Sequence, residues 1–219
     1  MAALFLLFSL VLGLATGQDK NFLELYTQTA KGGAMATVRE YHHDLADIGF
    51  NDLVQSVCGQ GVWMLYHDIN YGHSRGSWTN FVSFGTYDCH DLPVTQHGQA
   101  SSVRYAGTGD LHDETLTVYH SHSYSGGEEM FIREEPFFGD YNNQGSSIIV
   151  TGESPWTLYS GPGYHGDGIC ITPWPIGDGY YFGAWNVEDV GIENNELSSL
   201  QKGCFSKKVV FPTQSINVN

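Results

Sequence analysis

The chain has 219 residues, room for one large or two small domains, and sets 24 acidic side chains against 9 basic ones for a net charge of −15. That charge excludes nucleic acid and anionic membrane as electrostatic partners, and it favours solubility or association with cations. Residues 1–17 carry no charged side chain. Their apolar stretch is too short to span a bilayer, and it ends in the small residues Ala15 and Gly17. They read as a secretory signal cleaved after Gly17, although the leading region lacks Lys or Arg. No later run is apolar enough to span a membrane, so the expected product is secreted and extracellular. No Asn-x-Ser/Thr sequon occurs, and N-glycosylation is not expected.

From residue 22 onward, short runs alternate apolar and polar residues and end in turn-rich segments. They lie at 22–26, 62–66, 116–119 and 156–159. This is an all-β pattern, with modest helices expected only at 42–48 and around 187–190. The runs are headed by Leu25-Tyr26, Leu65-Tyr66, Val118-Tyr119 and Leu158-Tyr159, so the tyrosines are spaced 40, 53 and 40 residues apart. Two equal spacings around a longer one imply two pairs of units, with extra residues between the pairs. A single unit is too small for a stable core, and pairing gives domains of about 90 residues. The expected layout is a domain at 18–106, a linker at 107–114, a second domain at 115–211 and a tail at 212–219. Four strands per unit would make each domain a β-sandwich of two interlocked Greek keys.

Four cysteines allow three pairings, and an extracellular setting lets them form. If the domains fold separately, Cys58 pairs with Cys89 and Cys170 with Cys204. Each bond would then close a loop of about thirty residues and stabilise by roughly 3 to 4 kcal/mol.

Each unit contains a hairpin folded over its own sheet. Its signature is an aromatic, four residues, a second aromatic, one residue and a glycine. Unit three carries it as Tyr119, Tyr124 and Gly126, and unit four as Tyr159, Tyr164 and Gly166. Unit two keeps Tyr66 and Tyr71 but has His73 at the glycine position. Unit one keeps Tyr26 and Gly33 but has Lys31 at the second aromatic position. Four such copies at a paired spacing, covering roughly residues 21–211, resemble the βγ-crystallin family.

The resemblance implies calcium binding through an Asn/Asp-Asn/Asp-x-x-Ser/Thr-Ser segment in each unit. Unit three matches with Asn142-Asn143-Gln144-Gly145-Ser146-Ser147, and unit four with Asn194-Asn195-Glu196-Leu197-Ser198-Ser199. On that pattern Asn143 and Asn195 would ligate through their side chains, and Gln144 and Glu196 through their backbone carbonyls. Ser146 and Ser198 would each give a hydroxyl to the ion held mainly by the other unit. Water and a hairpin carbonyl would complete six to eight oxygens. In the first domain Asn51 and Asp52 meet the pattern, but Gln55 stands where the hydroxyl belongs. Unit two begins His97-Gly98 and keeps only Ser101-Ser102. The implied count is two sites in the second domain and at most one, using Asn51, Asp52 and Ser101, in the first. Mostly neutral ligands imply modest affinity.

Other chemistry is sparse. His120 and His122, His42-His43-Asp44 and Asp88-Cys89-His90-Asp91 show no zinc spacing with a third partner, and no serine or cysteine sits in a nucleophile frame. Glu128-Glu129 and Glu134-Glu135 alternate faces on strands. The expected function is a non-enzymatic, calcium-binding protein with a structural or interaction role. The alternative is a carbohydrate- or cell-surface-binding defence module on the same fold. Its ring platform would be drawn from Trp174 and the aromatics at 180–185, with an extracellular glycan or protein as partner.

Overall fold

The computed structural model describes residues 21–74, 76–177 and 179–212, excepting the side chains at 81 and 83–86. The expected signal at 1–17 and all of the expected tail but residue 212 lie outside them. The first half comprises β1 (Phe22–Gln28), β2 (Gly32–Val38), β3 (Ser56–Tyr66), β4 (Thr79–Asp91) and β5 (Ser102–Tyr105). The second comprises β6 (Thr115–Ser121), β7 (Ser125–Phe131), β8 (Ser147–Thr151), β9 (Trp156–Gly161), β10 (His165–Ile171), β11 (Trp174–Gly177), β12 (Tyr180–Asn186), β13 (Ser199–Lys202) and β14 (Val209–Val210). The expected runs fall inside β1, β3, β6 and β9. The helix expected at 42–48 shortens to a 3-10 turn at Leu45–Ile48, capped by the Asp44 side chain and ended by Gly49 at φ 72°. The one at 187–190 forms as α1 (Val187–Val190) with a capping box between Asn186 and Asp189.

The units trade strands. In the second half, one sheet runs β11-β12-β8-β6-β7, so unit three receives β12 from unit four. The other runs β13-β9-β10-β14, and Glu135 of unit three joins its edge through a reciprocal bridge to Leu200. The first half repeats this with longer strands. Residues 56–60 of β3 pair with β1, while residues 63–66 pair with β5. β4 follows β3 along its whole length, across a bulge between Gly59 and Gly61. Gly61 sits at φ 101°, an angle that side chains resist, and a Cβ there would also have to displace the Asn21 amide. His42 bridges to Val103, returning a strand segment from unit one to unit two. Each half is therefore a β-sandwich of two interlocked Greek keys.

Period-two alternation sets the cores. Leu23, Leu25, Val57, Trp63 and Leu65 point between the first pair of sheets, and Leu116, Val118, Ile148, Trp156, Leu158 and Trp185 between the second. On β3, however, the outward residues Val62, Met64 and Tyr66 are as buried as the inward ones. They pack against Tyr119, Ile149, Tyr180 and Phe182 of the second half, with Ala106 and Leu111 of the intervening segment filling the seam. The outer faces of units two and three thus form a third core between the halves. Burying each such side chain contributes about 1.5 to 3 kcal/mol.

Arg104 lies in this seam, 1% exposed. Its Nε donates to Tyr66 Oη at 2.9 Å, and its terminal nitrogens donate to the Gly126 and Tyr124 carbonyls at 3.0 and 2.6 Å. Glu128 Oε2 stands 3.1 Å from the guanidinium, and Tyr41 donates to Glu128 Oε1 at 2.8 Å. The guanidinium also lies 4.6 to 5.2 Å from the ring centres of Tyr66, Tyr71 and Tyr119. Burial opposes its charge, but Tyr66, Tyr119 and Glu128 outweigh that and hold its pKa above the ordinary value. The structure also joins Cys58 to Cys89 and Cys170 to Cys204, one bond within each half.

Replacing Arg104 with Ala strands Glu128 and two carbonyls at the seam. Denaturant unfolding should then show a loss of about 3 kcal/mol or more, and a loss below about 1 kcal/mol would contradict the assigned role. The tyrosines give a second expectation. Burial raises the phenol pKa values of Tyr41, Tyr66, Tyr119 and Tyr124, with Glu128 adding to the effect at the first three and Asp189 at Tyr124. Their stability contribution is complete below the unfolded value near 10 and falls as pH rises above it. Phenolate absorbance should therefore rise in two stages, the second coincident with loss of the β-sheet circular dichroism signal.

Candidate metal-binding loops

Four folded hairpins frame the candidate sites. In each, two successive residues adopt left-handed backbone: Ala30 and Lys31, Asn70 and Tyr71, Ser123 and Tyr124, Gly163 and Tyr164. The residue at the second aromatic position thus itself takes a strained angle, Tyr in three units and Lys31 in the first. Gly33, Gly126 and Gly166 follow with positive φ, whereas His73 does not and β4 starts later, at Thr79. A serine locks every hairpin. Ser56, Ser102, Ser147 and Ser199 donate to the carbonyls of Gln28, Asp68, Ser121 and Gly161 at 2.6 to 2.7 Å. They accept from the N–H groups of Lys31, Tyr71, Tyr124 and Tyr164 at 3.0 to 3.2 Å. These hydroxyls are spent on the backbone. The doubled serine was visible in the sequence, but its division of labour was not.

The four Asn/Asp-type loops cross in pairs. Asp52 N–H donates to Ala100 O and Gly98 N–H to Val54 O, while Asn143 N–H donates to Leu197 O and Asn195 N–H to Gly145 O. Asp52, Gly98, Asn143 and Asn195 all have φ between 54° and 63°. Gly98 therefore keeps the backbone of the pattern while lacking its side chain. The following loop residues Gln55, Ser101, Ser146 and Ser198 donate their N–H groups to Tyr26, Tyr66, Tyr119 and Tyr159, the first aromatics of the units. Each motif tyrosine carbonyl is thus tied to the loop of its own unit.

Side-chain oxygens meet across each pair. Ser198 Oγ donates to Asn143 Oδ1 at 2.9 Å and lies 3.3 Å from Glu196 O. Ser146 Oγ lies 3.5 Å from Asn195 Oδ1 and 3.0 Å from His120 O. In the first half Ser101 Oγ lies 3.4 Å from Asp52 Oδ1, and Asn51 Nδ2 donates to Asp52 Oδ2. Opposite Gly98, which carries no side-chain oxygen, stands Gln55 in place of a serine. The serines are buried, whereas Asp52, Asn143, Gln144, Asn194, Asn195 and Glu196 are exposed, so the oxygen clusters open to solvent. The Gln144 side chain donates to Asp140 O, leaving its backbone carbonyl as its candidate ligand.

The fit to a hard cation has a structural test. Asn142 Oδ1 and Asn51 Oδ1 are buried acceptors without a hydrogen-bond donor, at equivalent places in units three and one. A cation or its water shell supplies what such oxygens lack. Among the described residues no group of three or more His, Cys, Asp or Glu side chains is placed to hold a metal, so the available donors are amides, hydroxyls and carbonyls with Asp52. The histidines are dispersed. His122 leaves the strand and meets Glu188 at 2.8 Å, His120 packs on the Tyr141 ring, and His43 faces Asp47 at 3.9 Å. Of the aromatics at 173–185, Tyr180, Phe182 and Trp185 are buried in the two cores, while Trp174 is 47% exposed. No ring platform forms from the run as a whole.

No protein-family model matches the sequence, and no curated protein matches it. Among solved structures, geodin, a βγ-crystallin from Geodia cydonium, shares 21% identity at a TM-score of 0.62, over 84% of this chain and 99% of its own. A βγ-crystallin from Ciona intestinalis shares 22% identity over 38% of this chain and 98% of its own, with a TM-score of 0.33. An archaeal βγ-crystallin shares 27% over 41% of this chain and 96% of its own, also at 0.33. The topology and the likeness to geodin together give this chain the two-domain βγ-crystallin fold.

Proposed function

We propose that this chain is a secreted calcium-binding protein that acts by structural stability or interaction and not by catalysis. One observation carries the reading: Ser198 Oγ and Asn143 Oδ1, from loops 55 residues apart in sequence, meet at 2.9 Å beside the Glu196 carbonyl. The mirror pair Ser146 and Asn195 supports a second site, with Asn194 and the donorless Asn142 Oδ1 in the same loops. Asp52 and Ser101, with Asn51, support one site in the first half. The pairing of Gln55 with Gly98 supports none.

Neutral ligands at most positions favour millimolar rather than micromolar affinity, which extracellular calcium would satisfy. Saturation at a hundredfold over Kd would add about 2.7 kcal/mol to the folded state by linkage. The two cysteine pairs suit an oxidising compartment, in keeping with the signal read at residues 1–17.

Calorimetric titration of the oxidised protein should show calcium uptake, with a rise in Tm that chelator reverses. Ser146→Ala and Ser198→Ala should each weaken uptake several-fold while leaving Tm in chelator within a few degrees. No heat and no thermal shift would remove the reading. Asp52→Ala gives a separate check, because it should lower the stoichiometry and leave the second-half affinity unchanged.

A further inference from the structure

Unit one breaks the pattern of its own siblings. In units two, three and four the second aromatic seats its ring beside the first, with centres 5.7, 6.1 and 5.8 Å apart for Tyr66–Tyr71, Tyr119–Tyr124 and Tyr159–Tyr164. Unit one has the same hairpin backbone, with Lys31 at φ 63° against 56°, 56° and 63° for the three tyrosines. Its Lys31 N–H reaches Ser56 Oγ just as theirs reach the equivalent serines. Only the ring is missing. The Lys31 ammonium extends instead over the Tyr87 ring, 5.6 Å from its centre.

The surface beside this corner opens into a cleft of about 530 Å³, lined by Ala30, Lys31, Ser56, Cys89, His90 and Asp91. The half-exposed Cys89 brings the Cys58–Cys89 disulfide to its wall, a polarisable surface suited to an aromatic ring. Tyr26 and Tyr87 both donate to Glu24 Oε2 at 2.9 Å, which fixes two phenol rings on the sheet face next to the corner. Asp91, anchored through Oδ1 to Ala30 N–H at 2.7 Å, sets a carboxylate at the rim.

We infer that the unit-one corner is a binding site for a phenol ring of the tyrosine type, which takes the place of the ring that this unit alone does not supply. The ring would pack against the Lys31 stem and the disulfide, with its hydroxyl directed to the polar rim of Asp91 and His90. A bare aliphatic group satisfies neither contact.

The test is an amide chemical-shift titration of the full oxidised chain with N-acetyltyrosinamide, using N-acetylleucinamide as control. It is run both in calcium and in chelator, so that the outcome does not depend on the calcium reading. The expected result is saturable shifts confined to residues 30–33 and 89–91, at least ten-fold weaker with the leucine compound, and none around Tyr164. Lys31→Tyr should abolish binding by filling the corner with a residue whose backbone angle three siblings already adopt. Lys31→Ala, which removes the stem that the ring packs on, should weaken it. Equal binding of the leucine compound or binding that survives Lys31→Tyr would each overturn the inference; the first of these is read on the unaltered protein.

Discussion

A guanidinium with almost no exposure to water fixes the arrangement of the whole molecule. Removing Arg104 from solvent costs several kcal/mol, and the seam offsets this with a carboxylate, two carbonyls, a phenol oxygen and three aromatic faces. The partners come from both halves: Tyr66 and Tyr71 from the first, and Tyr119, Tyr124, Gly126 and Glu128 from the second. None of them alone would balance the charge, so the halves share one polar centre inside an apolar seam. That explains why the outer faces of units two and three are buried against each other. The open corner at Lys31 lies in unit one, outside that seam.

Around that centre the local chemistry repeats with little variation. Every unit places two consecutive residues in the left-handed region, a conformation that side chains resist by about 1 kcal/mol or more each. Every unit compensates with a serine whose hydroxyl both donates and accepts. The crossed loops do the same for their own left-handed residue, where an Asn, Asp or Gly sits without large strain. The candidate ligands therefore stand on a backbone that is already fixed by hydrogen bonds before any ion arrives. Gly98 shows the two roles separately, since the loop folds as usual there although the oxygen has been lost.

Much of this was legible in the sequence. The tyrosine spacing gave the paired units, and the Asn-Asn-x-x-Ser-Ser segments gave the loops whose oxygens meet at Ser198 and Asn143. The fusion of strands into a continuous β3 and β4 was not legible, because period two runs through the bend at Gly61 without a break. Arg104 was equally silent, being one of nine basic residues with no pattern of its own, in a seam whose hydrogen-bond partners lie 20 to 38 positions away in sequence, from Tyr124 to Tyr66. The run 62–66, grouped with the alternating ones, is apolar at every position, and that was a faint signal for the burial of Val62 and Met64 on an outward face. Only the second half, packed against it, gives that run its meaning.

The trading of strands between units has a consequence for concentration. A lone unit would lack one strand of its sheet and would have to find it on another molecule, so its folding would weaken on dilution. Joined in one chain, the two units meet at an effective concentration on the order of millimolar, whatever the bulk value. β12 reaches β8, and β4 reaches the first segment of β3, by an intramolecular step. Each half is accordingly a dimer made covalent, and it keeps its fold on dilution where separate units would come apart.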